Sequence, residues 1–187
     1  MDLLSDEEGK LAMQLARGTL GHVLLKKPEP AVKLTPVFEQ KRGVFVTLTI
    51  KEQLRGCIGF PYPVIPLGDA IRQAAVAAAL EDPRFRPVTA DELKKIDLEV
   101  TVLTPPQTME GDPEDRPNKV VVGKHGLIIR GRGTSGLLLP QVATDYSWDA
   151  RTFLDHTCTK AGLPENAWHD SRVELLTFEG QIFSEHR

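Results

Sequence analysis

The sequence predicts an α+β fold with a mainly antiparallel sheet and flanking helices. Three observations predict it. Val44, Val46, Leu48 and Ile50 alternate with Phe45, Thr47 and Thr49, the period of a strand with one apolar face. Ser5 to Glu8 and Thr89 to Glu92 are capping boxes, serine or threonine first and glutamate three residues later, and each opens a helix. Strand and helix patterns are mixed without the regular βαβ alternation of a parallel sheet.

The elements follow in order. The first capping box starts a helix to about Leu25, with Leu11, Leu15, Ala12 and Ala16 on its buried face. Residues 26–36 hold three prolines and form a connector. A strand covers 43–50, and after the polar break Lys51-Glu52-Gln53 a second strand returns as a hairpin. On it, alternation puts Leu54, Ile58 and Phe60 on one face and Arg55 and Cys57 on the other. Residues 69–80 form an alanine-rich helix whose Ala70, Ala74 and Ala78 allow close approach. Residues 82–87 are a turn, and the second capping box starts a short helix to about Lys95. Leu98, Val100 and Val102 mark another strand.

Residues 104–118 carry four prolines and several acids and read as a long loop that divides two unequal lobes. Beyond it, 120–122, 127–130 and 137–139 read as short strands. Ser147 caps a helix containing Phe153, Leu154, Thr157 and Cys158, and Gly162 ends it as a left-handed residue. Residues 173–183 are a last strand pair, or one long strand with a bulge at Gly180.

Composition narrows the function classes. A chain of 187 residues suits one domain, and its 41% hydrophobic and 26% charged content is that of a soluble globular protein. No apolar run is long enough for a bilayer, and the acidic first ten residues lack a signal-peptide pattern, so a cytoplasmic protein with no membrane partner is expected. The net charge of −3 argues against broad nucleic-acid binding. Cys57 and Cys158 lie in unrelated segments and suggest no disulfide framework. His22, His125, His156, His169 and His186 form no i, i+4 pair, and no C-x-x-C occurs, so neither a metal site nor another cofactor is expected. Gly131 to Gly136 fits the letters G-x-G-x-x-G, but Pro140 follows the next apolar run at once. It reads as a hairpin loop, not a dinucleotide site. Nor is there a G-x-S-x-G elbow.

The most informative stretch is Leu54-Arg55-Gly56-Cys57-Ile58-Gly59, where a cation, a thiol and bare backbone meet. It resembles the signature of the AMMECR-one domain family. Matching stretches follow in order: Asp82-Pro83-Arg84-Phe85, 99–105, Gly123-Lys124-His125-Gly126-Leu127, Leu139-Pro140-Gln141-Val142, Trp148, Lys160-Ala161-Gly162-Leu163, Trp168 and Phe183-Ser184-Glu185. The resemblance spans nearly the whole chain, a single domain over 5–186. It implies two lobes around a cleft lined by Arg55, Gly56, Cys57, Asp82, Arg84, His125 and Gln141.

The family pattern brings no established reaction with it, and two readings stand. As an enzyme or accessory component of a modification pathway, the chain would use Cys57 as nucleophile or carrier and His125 to move protons. Arg55, Gly56, Asp82, Arg84 and Gln141 would bind substrate. Relatives encoded with, or fused to, radical-SAM and Memo-like proteins suggest those partners. As a binding or adaptor module, it would hold a small molecule, peptide, nucleotide or RNA through Arg55, Arg84, Lys124, Arg130 and Arg132. RNA is the weaker version, because Trp148 and Trp168 look like core anchors. Each residue also has a structural reading: Cys57 as a small gap-filler, Arg55 in an ion pair with Glu99 or Asp82, and His125 in a plain turn.

Overall fold

The computed structural model describes residues 3–185. The domain limit expected at 186, and His186 with it, lie outside the described residues. The chain divides into two compact units, one running to Thr104 and resuming at Gln181, the other Pro105–Gly180.

Helix α1 (Asp6–Leu25) opens with the expected reciprocal cap between Ser5 and Glu8 and buries Ala12, Leu15 and Ala16. Strands β1 (Val44–Ile50) and β2 (Gln53–Phe60) form the hairpin, turning through Lys51 and Glu52, both at positive φ as a primed turn requires. Helix α2 (Leu67–Leu80) starts two residues earlier than Asp69, with Pro66 at its N-cap. Thr89 and Glu92 cap the single turn α3 (Ala90–Leu93), and β3 (Asp97–Leu103) follows.

The proline-rich segment is more ordered than its composition predicts. It holds β4 (Gln107–Thr108), a 3-10 turn at Pro113–Asp115 and α4 (Arg116–Lys119), both turns using proline at the N-terminal positions it favours. The run 120–122 is a turn and not a strand, because the Val121 carbonyl accepts from the amides of Lys124 and His125. Strands β5 (Gly126–Gly131) and β6 (Thr134–Leu138) form a hairpin around Arg132 and Gly133, so the glycine-rich stretch is indeed its turn. Pro140 does not simply stop the chain: it is the first residue of α5 (Pro140–Asp145).

The cap of α6 (Ala150–Lys160) is Asp149, which accepts from the Thr152 amide at 2.8 Å. Ser147, expected there, is in the left-handed region at φ 55°. Gly162 ends α6 at φ 78°, and the Leu163 amide reaches back to Cys158 O at 2.9 Å, a Schellman closure. The last apolar run is neither a strand pair nor one bulged strand. It is β7 (Glu174–Phe178) and β8 (Gly180–Ser184), which belong to different sheets.

In the first unit the strand order is β2-β1-β3-β8, and α1 and α2 share a core with one face of this sheet. Val44, Val46 and Leu48 point into that core, and directly opposite them on β2 stand Phe60, Ile58 and Gly56. In the second unit the order is β4-β7-β5-β6. Its core gathers Leu127, Ile129, Phe153, Leu154, Trp168 and Leu175. Arg116 is buried in this unit, donating to the carbonyls of Trp168 at 2.6 Å and Val173 at 2.7 Å, and ties α4 to the loop before β7.

A β-bulge separates Leu48 and Thr49: Leu48 pairs with Gly56 and Thr49 with Leu54. Arg55 is therefore the extra residue, and strict alternation fails there. Leu54 shares its face with Thr49 and Cys57, not with Ile58 as a regular strand would have it. Gly56 faces α2, and a Cβ on it would overlap the carbonyl oxygen of Ala78. That absent side chain lets the C-terminal turn of α2 rest directly on β2.

Gly56→Ala is predicted to lower stability by about 3 kcal/mol, the upper end for overpacking, because the obstructing atom is backbone and cannot rotate away. Gly133→Ala, at φ 79° with open space around it, should cost only about 1 kcal/mol for its left-handed backbone. Urea denaturation of both variants checks the order; equal losses would contradict the contact.

Candidate functional site

Strand β2 is the outer strand of its sheet, and its residues on the face away from the core meet their neighbours in rows. Cys57 stands opposite Thr47, and Thr47 opposite Glu99 on β3. The Cys57 thiol lies 3.3 Å from the Thr47 hydroxyl. One row further, Phe45 lies against the bare Cα of Gly59. Cys57, Thr47 and Glu99 are all half-buried. A thiol, a hydroxyl and a carboxylate thus occupy three successive strands on one face, with strands about 4.8 Å apart.

The free edge of β2 is held by a carboxylate. Asp82, just past the end of α2, accepts from the Cys57 amide at 3.0 Å. It also accepts from Arg84, through the amide at 3.1 Å, Nε at 3.0 Å and Nη2 at 2.8 Å. The Asp82 side chain is 2% exposed. The Arg84 guanidinium bonded to it, joined by the two backbone amides and opposed by burial, holds its carboxyl far below the usual range. Arg84 Nη2 lies 3.4 Å from the Cys57 carbonyl oxygen, so both outward backbone groups of Cys57 are taken. Asp82 and Arg84, both expected in the site, grip the backbone that carries the thiol.

Arg55 is drawn away from Cys57. Its Nε and Nη2 donate to the two carboxylate oxygens of Glu92 at 3.0 and 3.1 Å. Further bonds go to Arg86 O at 2.8 Å and Pro87 O at 3.4 Å. These are four bonds from a group with five N–H donors. The ion-pair partner is Glu92 of α3 and neither Glu99 nor Asp82, because the bulge turns Arg55 toward the α3 side. The same Glu92 completes the Thr89 cap, and the bond from Arg55 is the leading cause of its lowered pKa.

His125 and Gln141 belong to the second unit. His125 Nδ1 accepts from the Val121 amide at 3.0 Å, which leaves the ring proton of the neutral imidazole on Nε2. Nε2 is 4.0 Å from Glu179, which Lys124 also approaches at 3.3 Å. Burial lowers the His125 pKa, with Lys124 adding to the shift and Glu179 opposing it. Gln141 is exposed in the first turn of α5. Cys158 is fully buried, and burial pushes its thiol up to about 11. Among the described residues no group of His, Cys, Asp or Glu is arranged to hold a metal ion. Nor is any described helix long and apolar enough to cross a membrane.

Thr47 and Glu92 join the site without any signal of that role in the sequence. Thr47 was legible as an outward residue of β1, but its meeting with Cys57 needs the register. Glu92 was visible as a cap; its second role depends on the bulge.

Asp82→Asn should cost about 2 kcal/mol at neutral pH, by removing charge-assisted bonds from Arg84 and the Cys57 amide. Because the folded carboxyl titrates below its unfolded value, that stability is present above about pH 3.9 and lost as the pH falls further. Denaturation midpoints of wild type and variant should therefore converge in acid. His125 has the same sign, its folded pKa lying below the ordinary 6.5. Protonation makes Nδ1 a donor and breaks the Val121 bond. Measured against the intrinsic base-catalysed rate, the Val121 amide should be protected above pH 6.5 and lose protection as the pH falls through the lowered value, and His125→Ala should remove that change in protection.

The comparisons with known proteins agree on one family. The AMMECR1 family model matches residues 13–183. A protein of Methanosarcina barkeri is 52% identical over 98% of this chain and 93% of its own length. One of Methanothermobacter thermautotrophicus is 48% identical over 97% of this chain and 96% of its own. The crystal structure of uncharacterized protein PH0010 from Pyrococcus horikoshii superposes with a TM-score of 0.77 at 44% identity, over 98% of this chain and 94% of that one. With the Leu54–Gly59 strand and the Asp82 grip in place, these matches establish that the chain belongs to the AMMECR1 family.

Proposed function

We propose that this protein is a thiol-dependent component of a modification pathway, in which Cys57 captures an acyl group as nucleophile or transient carrier. Radical-SAM and Memo-like proteins are the partners proposed for that pathway. One observation carries the reading: Cys57 presents a half-buried thiol on the outward face of β2, beside the Thr47 hydroxyl, with its amide and carbonyl both fixed by Asp82 and Arg84. A gap-filling cysteine needs no such hold on its backbone. In the proposed step a bond forms between Cys57 Sγ and the acyl carbon. The bond from that carbon to its leaving group breaks, and the thiol proton departs with the leaving group. Glu99 and Thr47 are the polar groups in the same row. His125 is given no part as base, since its basic nitrogen is occupied by the Val121 amide.

The adaptor reading draws less support. Of the five cations that would form its positive surface, four are paired with carboxylates: Arg55 with Glu92, Arg84 with Asp82, Lys124 with Glu179 and Arg130 with Glu174. A phosphate or nucleic acid would have to displace those partners.

Alkylation followed by peptide mass spectrometry tests the proposal. Native protein should take up one iodoacetamide adduct, at Cys57, with Cys158 labelled only in urea. Thr47→Val should change the rate at Cys57 and leave Cys158 unaffected. A Cys57 that reacts only after unfolding would end the thiol reading.

A further inference from the structure

A second surface stands out in the Pro105–Gly180 unit. Tyr146, Trp148 and His156 build a column of rings. Tyr146 stacks on Trp148 with centroids 5.1 Å apart and planes 16° from parallel. Trp148 stacks on His156 at 3.9 Å and 2°. Trp148 also packs against Phe153, which roots the column in the core. Its other end is bare: Tyr146 is 69% exposed, the highest value among the exposed large apolar residues described.

The backbone is strained to make this arrangement. Ser147, between the two rings, sits at φ 55°, a conformation that non-glycine residues rarely adopt. Its turn is held by the Ser147 amide on Thr144 O at 3.2 Å and the Trp148 amide on Ala143 O at 2.8 Å. The turn sets residues 146 and 148 face to face, which a helix does not do for neighbours two apart. Burial is not what the strain achieves, since Tyr146 remains mostly in solvent. Strain of this kind is characteristic of ligand clamps.

The charges around the column select its ligand. Asp145 and Asp149 flank the ring-bearing turn in sequence, and Arg151 acts on Asp149. Asp149 is committed to the Thr152 amide. Asp145 is exposed and makes no ion pair among the described residues. A nucleotide base would stack on Tyr146, but its phosphate would meet these carboxylates. A guanidinium suits both features: it is flat, so it adds one more plane to the column, and its edge donates to a carboxylate. The protein already pairs guanidinium with rings elsewhere, Arg151 over Trp168 at 5.5 Å and Arg84 over Phe85 at 5.4 Å. We propose that Tyr146 and Asp145 form a docking point for an arginine side chain of a protein partner.

The test is an NMR titration of the full chain with a five-residue peptide bearing a central arginine, following the ring resonances of Tyr146 and Trp148. Lysine and citrulline versions of the peptide, and AMP, run in parallel. The arginine peptide should give saturable shifts with a Kd on the order of millimolar, as a single side-chain contact does. Lysine should bind more weakly and citrulline weakest. Tyr146→Ala and Asp145→Asn should each weaken binding by about two- to fivefold, while Tyr146→Phe keeps it. Both positions are exposed, so thermal midpoints should not move. Equal binding of citrulline, AMP acting at lower concentration than the peptide, or no saturable shift would each overturn the proposal.

Discussion

The contact between the bare Cα of Gly56 and the carbonyl of Ala78 sets the geometry of the first unit. With no side chain between them, the last turn of α2 lies directly on β2, and the chain leaving that helix starts beside the strand's open edge. Asp82 is then close enough to bond the Cys57 amide, and Arg84, two residues on, reaches both Asp82 and the Cys57 carbonyl. An exposed strand edge is a template for unwanted pairing. Here it is closed at Cys57 by side chains of the same unit, and the thiol they hold faces outward. One glycine thus links helix packing, edge protection and the outward placement of the Cys57 thiol.

The bulge beside it divides the labour within the signature stretch. A regular strand would have put Arg55 and Cys57 on one face, a cation next to a thiol. The extra residue sends Arg55 to Glu92, where it ties β2 to α3 and to the carbonyls of Arg86 and Pro87. Cys57 keeps Thr47 and Glu99 as its row neighbours. A half-buried, bidentate pair such as Arg55–Glu92 is costly to break from one side, because the remaining charge is left without its partner. The arginine of the motif is therefore explained by architecture, and the cysteine is the residue for which architecture offers the least explanation.

Much of this was legible from residues alone, and what was not fails for identifiable reasons. Capping boxes at Ser5 and Thr89 are local, so both helix starts could be read directly. The alternation in β1 is local too. A bulge, by contrast, leaves no mark in composition, and one inserted residue reverses every face assignment on one side of it. Val120, Val121 and Val122 have strand-like side chains, yet backbone bonds to Lys124 and His125 take Val121 into a turn. Pro140 reads as a terminator in the sequence, whereas at the first position of a helix its missing N–H costs nothing. Ser147 and Asp149 are both good caps; the one given up to a left-handed turn is the one between two aromatic rings. The split of β7 and β8 into separate sheets depends on pairing between residues far apart in the chain, which no local pattern carries.

The disposition of charge brings these threads together. Among the arginines, Arg17, Arg55, Arg84 and Arg172 each bond a carboxylate, while Arg116 is buried on backbone carbonyls. Arg17, Arg55 and Arg116 thus act as fasteners between segments that are distant in sequence, as Arg17 does in bonding Glu185 together with the carbonyls of Leu93 and Ile96. A protein that uses its planar cations in this way has few left for gripping phosphates. What remains at the surface for recognition is of other kinds: a thiol with a hydroxyl and a carboxylate in its row, and an aromatic column flanked by acids. As proposed, both suit partners that bring an electrophile or a cation, and it is that chemical complementarity, more than net charge, on which the two proposals rest.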